Sequence, residues 1–140
     1  MADAGETFTL EIATPERLVV NEPVSEAQIP GLDGYMGVLP GHAPLISELA
    51  NGILSYTTGQ ATHHLSVYGG FVEILTDRVR VLADSAEKKE EIDLARAREE
   101  LKRAFDVLED PPVDLDPANA LAEMQRAQAR VDLASQPLRG

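Results

Sequence analysis

The chain has 140 residues, 44% hydrophobic and 26% charged, a composition typical of a folded protein with one modest core and an appendage. Its formal net charge of -12 repels phosphate backbones and anionic lipid, so we expect no nucleic acid partner. It has no cysteine, which excludes disulfides and thiolate chemistry. No apolar run approaches the ~20 residues that span a bilayer, and the acidic N-terminus does not fit an export signal. Any membrane association should therefore come through a partner.

The first half of the chain has the pattern of an all-β domain. From Thr7 to Ala83, short apolar runs alternate with polar residues and are broken by Gly, Pro, Asn and Asp. In residues 7–12, Phe8, Leu10 and Ile12 should point to one buried face. The pattern predicts antiparallel strands in a sandwich or barrel. Two hairpins are expected, joining residues 53–58 to 62–68 through Gly59-Gln60, and residues 71–75 to 79–83 through Thr76-Asp77.

After Asp84 the composition turns to Ala, Glu, Arg and Leu, which predicts two helices. Asp93 should cap the first helix, and Pro111-Pro112 should end it. Asp116 should cap the second, with Pro117 in its first position. The linker of about seven residues allows an antiparallel hairpin. The apolar stripes expected to meet are Leu94, Ala97, Leu101, Ala104, Phe105 and Leu108 on the first helix, and Ala120, Met124, Ala127, Val131 and Ala134 on the second.

These helical stripes are short and rich in alanine, which gains little on burial at ~25 cal/mol per Å². The hairpin should therefore be weakly held and able to open as a lever or latch. The fold class predicted is an all-β sandwich followed by an antiparallel two-helix hairpin, α+β overall. The division expected is a β-sandwich domain over residues 1–86 and a regulatory hairpin over residues 87–140.

Several motifs that could carry chemistry favour a structural interpretation. The glycine-dense segment 30–44 lacks the Lys-Ser/Thr of a phosphate loop and precedes no predicted helix, so tight turns are favoured over a phosphate cradle. His63 and His64 are adjacent in a predicted strand and should face opposite sides, and His42 has no metal-ligand spacing around it. No nucleophile elbow surrounds any serine. We expect no catalytic residues and no metal site.

The arginines of the helical half suggest a binding site. Arg96 and Arg103 are seven residues apart and share one helix face, while Arg126 and Arg130 are one turn apart on the other helix. Four converging guanidiniums would suit a polyphosphate, and Asp93 or Glu87 could accept from a base or ribose. The alternative is plain pairing within a helix, with the remaining charges solvated. The pairs expected in that case are Asp93 with Arg96 and Glu99 with Arg103.

Several strings, in this order along the chain, resemble the epsilon subunit of bacterial ATP synthase: Gly37-Val38-Leu39-Pro40-Gly41-His42-Ala43-Pro44-Leu45, Gly69-Gly70-Phe71-Val72-Glu73-Ile74, Val81-Leu82-Ala83-Asp84 and Ile92-Asp93-x-x-Arg96-Ala97. The resemblance implies a flattened sandwich of about ten strands and a non-catalytic rotor subunit of the proton-translocating enzyme. It also implies contacts of the β domain with the gamma subunit and the c ring. The extended helices would reach the alpha/beta catalytic head and inhibit ATP hydrolysis. The expected location is the cytoplasmic face of the bacterial plasma membrane.

The same resemblance implies a regulatory ATP site, with no cofactor required. Ile92, Asp93, Arg96 and Ala97 match the Ile/Leu-Asp-x-x-Arg-Ala motif of ATP-binding family members. The accessory residues implied are Glu87, Arg103, Arg126 and Arg130. The proline-rich segment between the helices disfavours one straight helix, so extension would give two jointed helices. A rival hypothesis is a free-standing, small-molecule-binding or hydrolytic β-sandwich protein with a helical tail.

Overall fold

The computed structural model describes residues 6–135, which form eight strands, a short 3-10 turn and two helices. The strands are β1 (Phe8–Ala13), β2 (Leu18–Val24), β3 (Glu26–Gly31), β4 (Gly34–Val38), β5 (Leu45–Glu48), β6 (Gly52–Thr58), β7 (Ala61–Ile74) and β8 (Arg78–Lys88). The 3-10 turn covers Lys89–Glu91, and the helices are α1 (Leu94–Glu109) and α2 (Pro117–Ser135). The sandwich followed by a helical pair confirms the predicted fold class. Strands β1 to β8 are called the β body below.

The strands of the β body follow the order β2-β1-β8-β7-β6-β3-β4, and β5 pairs with β7. The first half of β7 pairs with β6 and its last residues pair with β5, so β7 serves both layers of the sandwich. Both predicted hairpins are confirmed. The expectation of antiparallel pairing alone was wrong, because β1 and β8 run parallel.

A glycine pair bends β7 between the two layers. Gly69 and Gly70 have positive φ values of 63° and 109°. A Cβ on Gly70 would lie 2.0 Å from the carbonyl oxygen of Leu82, so a side chain cannot be accommodated there without moving the backbone. The sequence predicted a strand end at this point, and instead β7 continues through the bend. Because β7 and β8 are each one long strand, the described residues contain eight strands rather than about ten.

One apolar core lies between the layers of the β body. The expected alternation holds in β1, where Phe8, Leu10 and Ile12 are buried. Large residues from β1 and the other strands fill the core, and each fully buried Leu, Ile or Val stabilises the fold by about 1.5–3 kcal/mol. The largest of them are Leu10, Ile12, Ile29, Leu54, Leu65 and Ile74.

The helix ends follow the sequence prediction. The carboxylate of Asp93 accepts a hydrogen bond from the backbone amide of Arg96 at 3.2 Å, and α1 ends at Glu109 before the two prolines. Asp116 accepts from the amide of Ala118 at 3.1 Å, and Pro117 is the first residue of α2. Neither helix is long and apolar enough to cross a bilayer within residues 6–135.

The predicted packing stripes of the helices were only partly right. Helix α2 packs on α1 and also approaches β6 and β7, so it carries two contact faces. The second face buries Ala129 and Leu133, which the single predicted stripe missed. On α1, Ala97 is buried, but Phe105 and Leu108 are 47% and 38% exposed, because the end of α1 extends beyond the cover of its neighbours.

Candidate functional site

A cleft lies where the end of β8 meets the two helices. It consists of a cavity of about 480 Å³ and a neighbouring one of about 290 Å³. Both are lined by Glu100 and Arg126, and together they are called the arginine cleft below. The larger cavity is lined by Ser85, Glu87, Glu100, Arg126 and Arg130. The smaller is lined by Glu100, Arg103, Ala104, Val107, Glu123, Arg126 and Ala127.

Arg130 is the most enclosed cation of the cleft, with 17% of its side chain exposed. Its Nε lies 3.0 Å from Oε1 of Glu87, and its Nη1 donates to Oε2 of Glu100 at 2.5 Å. Burial lowers the pKa of Arg130, but the Glu87 and Glu100 carboxylates outweigh it and leave this pKa raised. Because these three residues come from β8, α1 and α2, their ion pairs tie both helices to the β body.

Arg126 makes the second link between α2 and the β body. Its Nη2 donates to Oγ of Ser85 at 2.9 Å, and its guanidinium lies 4.7 Å from the ring centroid of Tyr68. The Tyr68 hydroxyl in turn donates to Oε1 of Glu87 at 3.2 Å. Burial raises the pKa of Tyr68 far above its ordinary value, so the phenol stays protonated and remains a donor. The cation over the ring adds about 0.5–2 kcal/mol of attraction.

The arginines of α1 are more exposed. Arg96 is 73% exposed and its Nε lies 3.3 Å from Oε1 of Glu100. Arg103 lines the smaller cavity, and within residues 6–135 it forms no ion pair shorter than 4 Å. The two expected intrahelical pairs were wrong. The Asp93 carboxylate binds the backbone amide of Arg96 instead of its guanidinium, and no Glu99 to Arg103 pair forms.

The motif residues at the start of α1 do not line either cavity of the arginine cleft. Ala97 is fully buried, Ile92 is half-buried and Asp93 is exposed. Of the motif residues, Arg96 is linked to the cleft only through its ion pair with Glu100. Sequence reasoning missed Glu100, Ser85 and Tyr68. The i, i+4 spacing of Glu100 from Arg96 was a usable signal, whereas the Tyr68 contact depends on the pairing of β7 with β8.

The remaining sequence candidates have structural surroundings. The ring of His63 stacks on Tyr56 at 4.9 Å, and its Nε2 lies 2.7 Å from Oγ1 of Thr58. The glycine-dense segment forms β4 and a turn at Gly41, where φ is 82°, and leads into β5 rather than a helix. In the described part of the chain, no three His, Asp or Glu side chains are grouped closely enough to hold a metal ion.

Fold and cleft together define a class of protein: a small β-sandwich with a helical hairpin docked on it through arginines. Two family descriptions match. Residues 7–89 match "ATP synthase, Delta/Epsilon chain, beta-sandwich domain" and residues 90–135 match "ATP synthase, Delta/Epsilon chain, long alpha-helix domain". The chain belongs to the ATP synthase epsilon chain family.

Curated relatives agree with this assignment. The ATP synthase epsilon chain of Solibacter usitatus is 52% identical over 129 residues, covering 92% of this chain and 96% of the relative. That of Nitratidesulfovibrio vulgaris is 47% identical over 122 residues, covering 87% of this chain and 91% of the relative. The chain is accordingly a non-catalytic stalk subunit of the ATP synthase complex. A free-standing β-sandwich protein finds no support in these comparisons.

Solved structures share the fold at low identity. A chain in the Euglena gracilis mitochondrial ATP synthase structure (OSCP/F1/c-ring) has a TM-score of 0.81 at 23% identity, covering 96% of this chain and 85% of that chain. A chain in the Tetrahymena thermophila mitochondrial ATP synthase structure (central stalk/c-ring) has a TM-score of 0.58 at 14% identity, covering 93% and 95%. These likenesses extend over the β body and the helices together.

Proposed function

We propose that this chain turns with the rotor and that its helical hairpin is a two-state latch. Residues 1–86 dock on the gamma subunit and the c ring, and residues 87–140 form the latch. Folded against the β body, the hairpin permits turnover. Extended along the gamma subunit to the alpha/beta catalytic head, it blocks ATP hydrolysis. The protein then lies at the cytoplasmic face of the bacterial plasma membrane, peripheral and held by the complex.

The observation that carries this proposal is the small apolar contact between the hairpin and the rest of the molecule. Ala97 is the one buried residue of α1, and α2 buries three alanines and Leu133. A buried methyl contributes only about 0.8 kcal/mol, so releasing the helices costs far less than opening the β body. The exposed Phe105 and Leu108 leave an apolar surface on α1 for a partner in the extended state.

The linker sets the shape of the extended state. Helix α1 ends at Glu109 and α2 begins at Pro117, with Pro111 and Pro112 between them. Proline cannot donate the helical hydrogen bond, and it disfavours helical geometry in the residue before it. The extended latch therefore consists of two separate helices connected by the proline-containing linker.

We assign the arginine cleft as a regulatory ATP site. The phosphates would contact Arg96, Arg103, Arg126 and Arg130. The carboxylate of Glu87, which lines the cleft, and that of Asp93 would accept from the base or ribose. Ile92 and Ala97 would act through the packing of the first turn of α1, since Ala97 is fully buried. The cleft exists only when both helices lie on the β body, so ATP would favour the folded latch. At a hundredfold excess over Kd, that bias is about 2.7 kcal/mol.

The rotor partner has a candidate docking surface on the β body. Phe71 of β7 is opposite Leu82 of β8, Leu82 is opposite Ala13 of β1, and Ala13 is opposite Leu18 of β2. Phe71, Leu82 and Leu18 are 56%, 54% and 57% exposed, so these residues form an apolar row across four strands. Apolar side chains aligned on a monomer surface are typical of an interaction site. We assign this apolar row to the gamma subunit.

The docking assignment is tested by co-purification with the gamma subunit. Phe71→Asp and Leu82→Asp should each weaken the complex at least tenfold, because a carboxylate would be buried in an apolar interface. Leu32→Asp is the matched control, since Leu32 is 63% exposed in the turn between β3 and β4, outside the apolar row. Full binding by both β-body variants would refute the assignment of the apolar row.

The latch is tested by removing residues 92–140 and assembling the shortened chain with the other subunits. The deletion starts at Ile92 because β8 continues to Lys88, and the capping turn Lys89–Glu91 follows it. The complex should assemble and hydrolyse ATP faster than the complex with the full chain. An unchanged hydrolysis rate in an assembled complex would contradict the latch.

The ATP site is tested by calorimetric titration of the full chain with ATP. Arg96→Ala and Arg126→Ala should each weaken binding about tenfold, since each removes a guanidinium proposed to contact the phosphates. Arg78→Ala, at the exposed first residue of β8, should bind like the unmodified chain. Equal binding in all four proteins, or none at millimolar ATP, would rule out the site.

A further inference from the structure

A carboxylate occupies the centre of the arginine cleft. Glu100 lines both cavities, and its two oxygens contact different helices. Oε1 lies 3.3 Å from Nε of Arg96 on α1, and Oε2 accepts from Nη1 of Arg130 on α2. A site assembled for an anionic ligand thus already holds an anion of its own, and the proposed function does not explain it.

The position of Glu100 differs from that of the other acids in the cleft. Glu87 belongs to the β body and also accepts from the Tyr68 hydroxyl, so its carboxylate is fixed on the strand side. Glu123 lines the smaller cavity, and within the described residues it pairs with none of the arginines. Glu100 alone among these three bridges an arginine of each helix, and its side chain is 32% exposed, which leaves it a route into water.

We propose that Glu100 is a built-in competitor of the polyphosphate chain and sets the ATP concentration at which the latch responds. The proposal rests on the ATP site proposed above and deepens it. With the site empty, the Glu100 carboxylate neutralises Arg96 and Arg130 and closes the hairpin. When ATP enters, phosphate oxygens replace the carboxylate on these guanidiniums, and Glu100 moves to solvent.

This exchange lowers the affinity in two ways. The ligand must break two existing ion pairs before it gains new ones, and a negative charge stays near its phosphates. The latch therefore responds only at a high ATP concentration. At low ATP the folded state is stabilised weakly by Glu100, and at high ATP it is stabilised strongly by the bound nucleotide. If Glu100 only stabilised the folded hairpin and did not compete with ATP, its loss would have the opposite effect. The folded hairpin would loosen, and ATP binding would weaken.

The test is isothermal titration of the full chain, comparing the unmodified protein with Glu100→Gln and Glu100→Ala. ATP, inorganic tripolyphosphate and adenosine are the three probes. Glu99→Gln is the control, because it makes the same change of charge at an adjacent exposed position of α1. Circular dichroism at 222 nm checks that each variant keeps its helices.

Glu100→Gln should bind ATP about tenfold more tightly than the unmodified chain, and tripolyphosphate by a similar factor, since the competition concerns the phosphates. Adenosine binding should be unchanged, and Glu99→Gln should bind ATP within about twofold of the unmodified chain. ATP binding that is equal or weaker in both Glu100 variants would overturn the competitor and leave the ATP site standing. No ATP binding by any of the proteins would overturn the site and the competitor together.

Discussion

The β body and the helical hairpin are held together by different kinds of contact. The β body has one continuous cluster of buried residues, including fully buried leucines such as Leu10 and Leu54. The hairpin buries mainly alanine and is tied to the β body by the polar links of Arg126 and Arg130. Ion pairs weaken with salt and with anionic competitors, whereas apolar packing does not. A subunit built in this way can keep its docking domain rigid while one part responds to ligand.

The largest effect should come from the bend of β7. In Gly70→Ala the new Cβ would meet the Leu82 carbonyl oxygen at 2.0 Å, and φ at this position is 109°. We expect a loss of about 3–5 kcal/mol, enough to prevent folding of both layers. Gly37→Ala is the control, because the atom nearest to the added Cβ would be Nε2 of Gln28, at 3.7 Å. Urea denaturation of the two variants measures the difference, and similar midpoints would contradict it.

The next effect separates the two regions through a matched pair of leucines. Leu54 and Leu133 are both fully buried, one in the β body and one in α2. Leu54→Ala should lower the free energy of global unfolding by about 2–5 kcal/mol. Leu133→Ala should instead release the hairpin, so that α2 amides lose protection from hydrogen exchange while β7 amides keep theirs. Equal loss of protection in both regions would mean that the molecule opens as one unit.

The sequence predicted the structure well where residues two to four positions apart decide it. Alternating Phe8, Leu10 and Ile12 identified a half-buried strand, and Asp93 and Asp116 identified two helix starts, because these signals act over two to four residues. The continuity of β7 through Gly69 and Gly70 was not predictable in this way. A glycine pair ends a strand or bends it according to what its flanks pair with, and those partners lie elsewhere in the chain.

The candidate site was only partly predictable from the sequence, which pointed to Glu87 and the arginines but missed Glu100, Ser85 and Tyr68. Spacing within α1 and α2 predicted that four arginines could converge. Arg103, Arg126 and Arg130 line the cleft, whereas Arg96 lies outside its lining. The spacing did not reveal how Arg126 reaches Tyr68 and Ser85, since that contact needs the tertiary docking of α2. The predicted apolar stripe of α2 missed Leu133 for the same reason. A single helical period identifies one helix face, whereas α2 packs through two faces.

A smaller effect should follow from removing the central cation of the cleft. Arg130→Met keeps an unbranched apolar stem in place of the aliphatic part of arginine, but Glu87 and Glu100 lose their shared partner and repel each other. We expect the hairpin to be destabilised by about 1–3 kcal/mol, with the β body unchanged. Arg98→Met is the control, because Arg98 lies on the exposed side of α1. Hydrogen exchange of the α2 amides measures the loss of hairpin stability. If Arg130→Met keeps the protection of the unmodified chain, the stability of the hairpin comes from its buried alanines instead.

The smallest effect concerns the junction of the two regions, where Arg17 binds Glu91 at 2.8 Å. The Arg17 guanidinium, with the backbone amide of Lys88, holds the pKa of Glu91 below its ordinary value of 4.5. A lowered carboxyl pKa gives stability that is present above pH 4.5 and is lost as the pH falls through the folded value. Arg17→Gln should therefore melt below the unmodified chain at pH 7, and the difference should shrink below about pH 4.5. Arg78→Gln changes an exposed arginine at the start of β8, away from this junction. It should show no such pH-dependent difference in thermal melts. A difference for Arg17→Gln that stays constant from pH 7 to pH 3 would show that Arg17 stabilises the junction by packing, and the charge of Glu91 would then play no part in it.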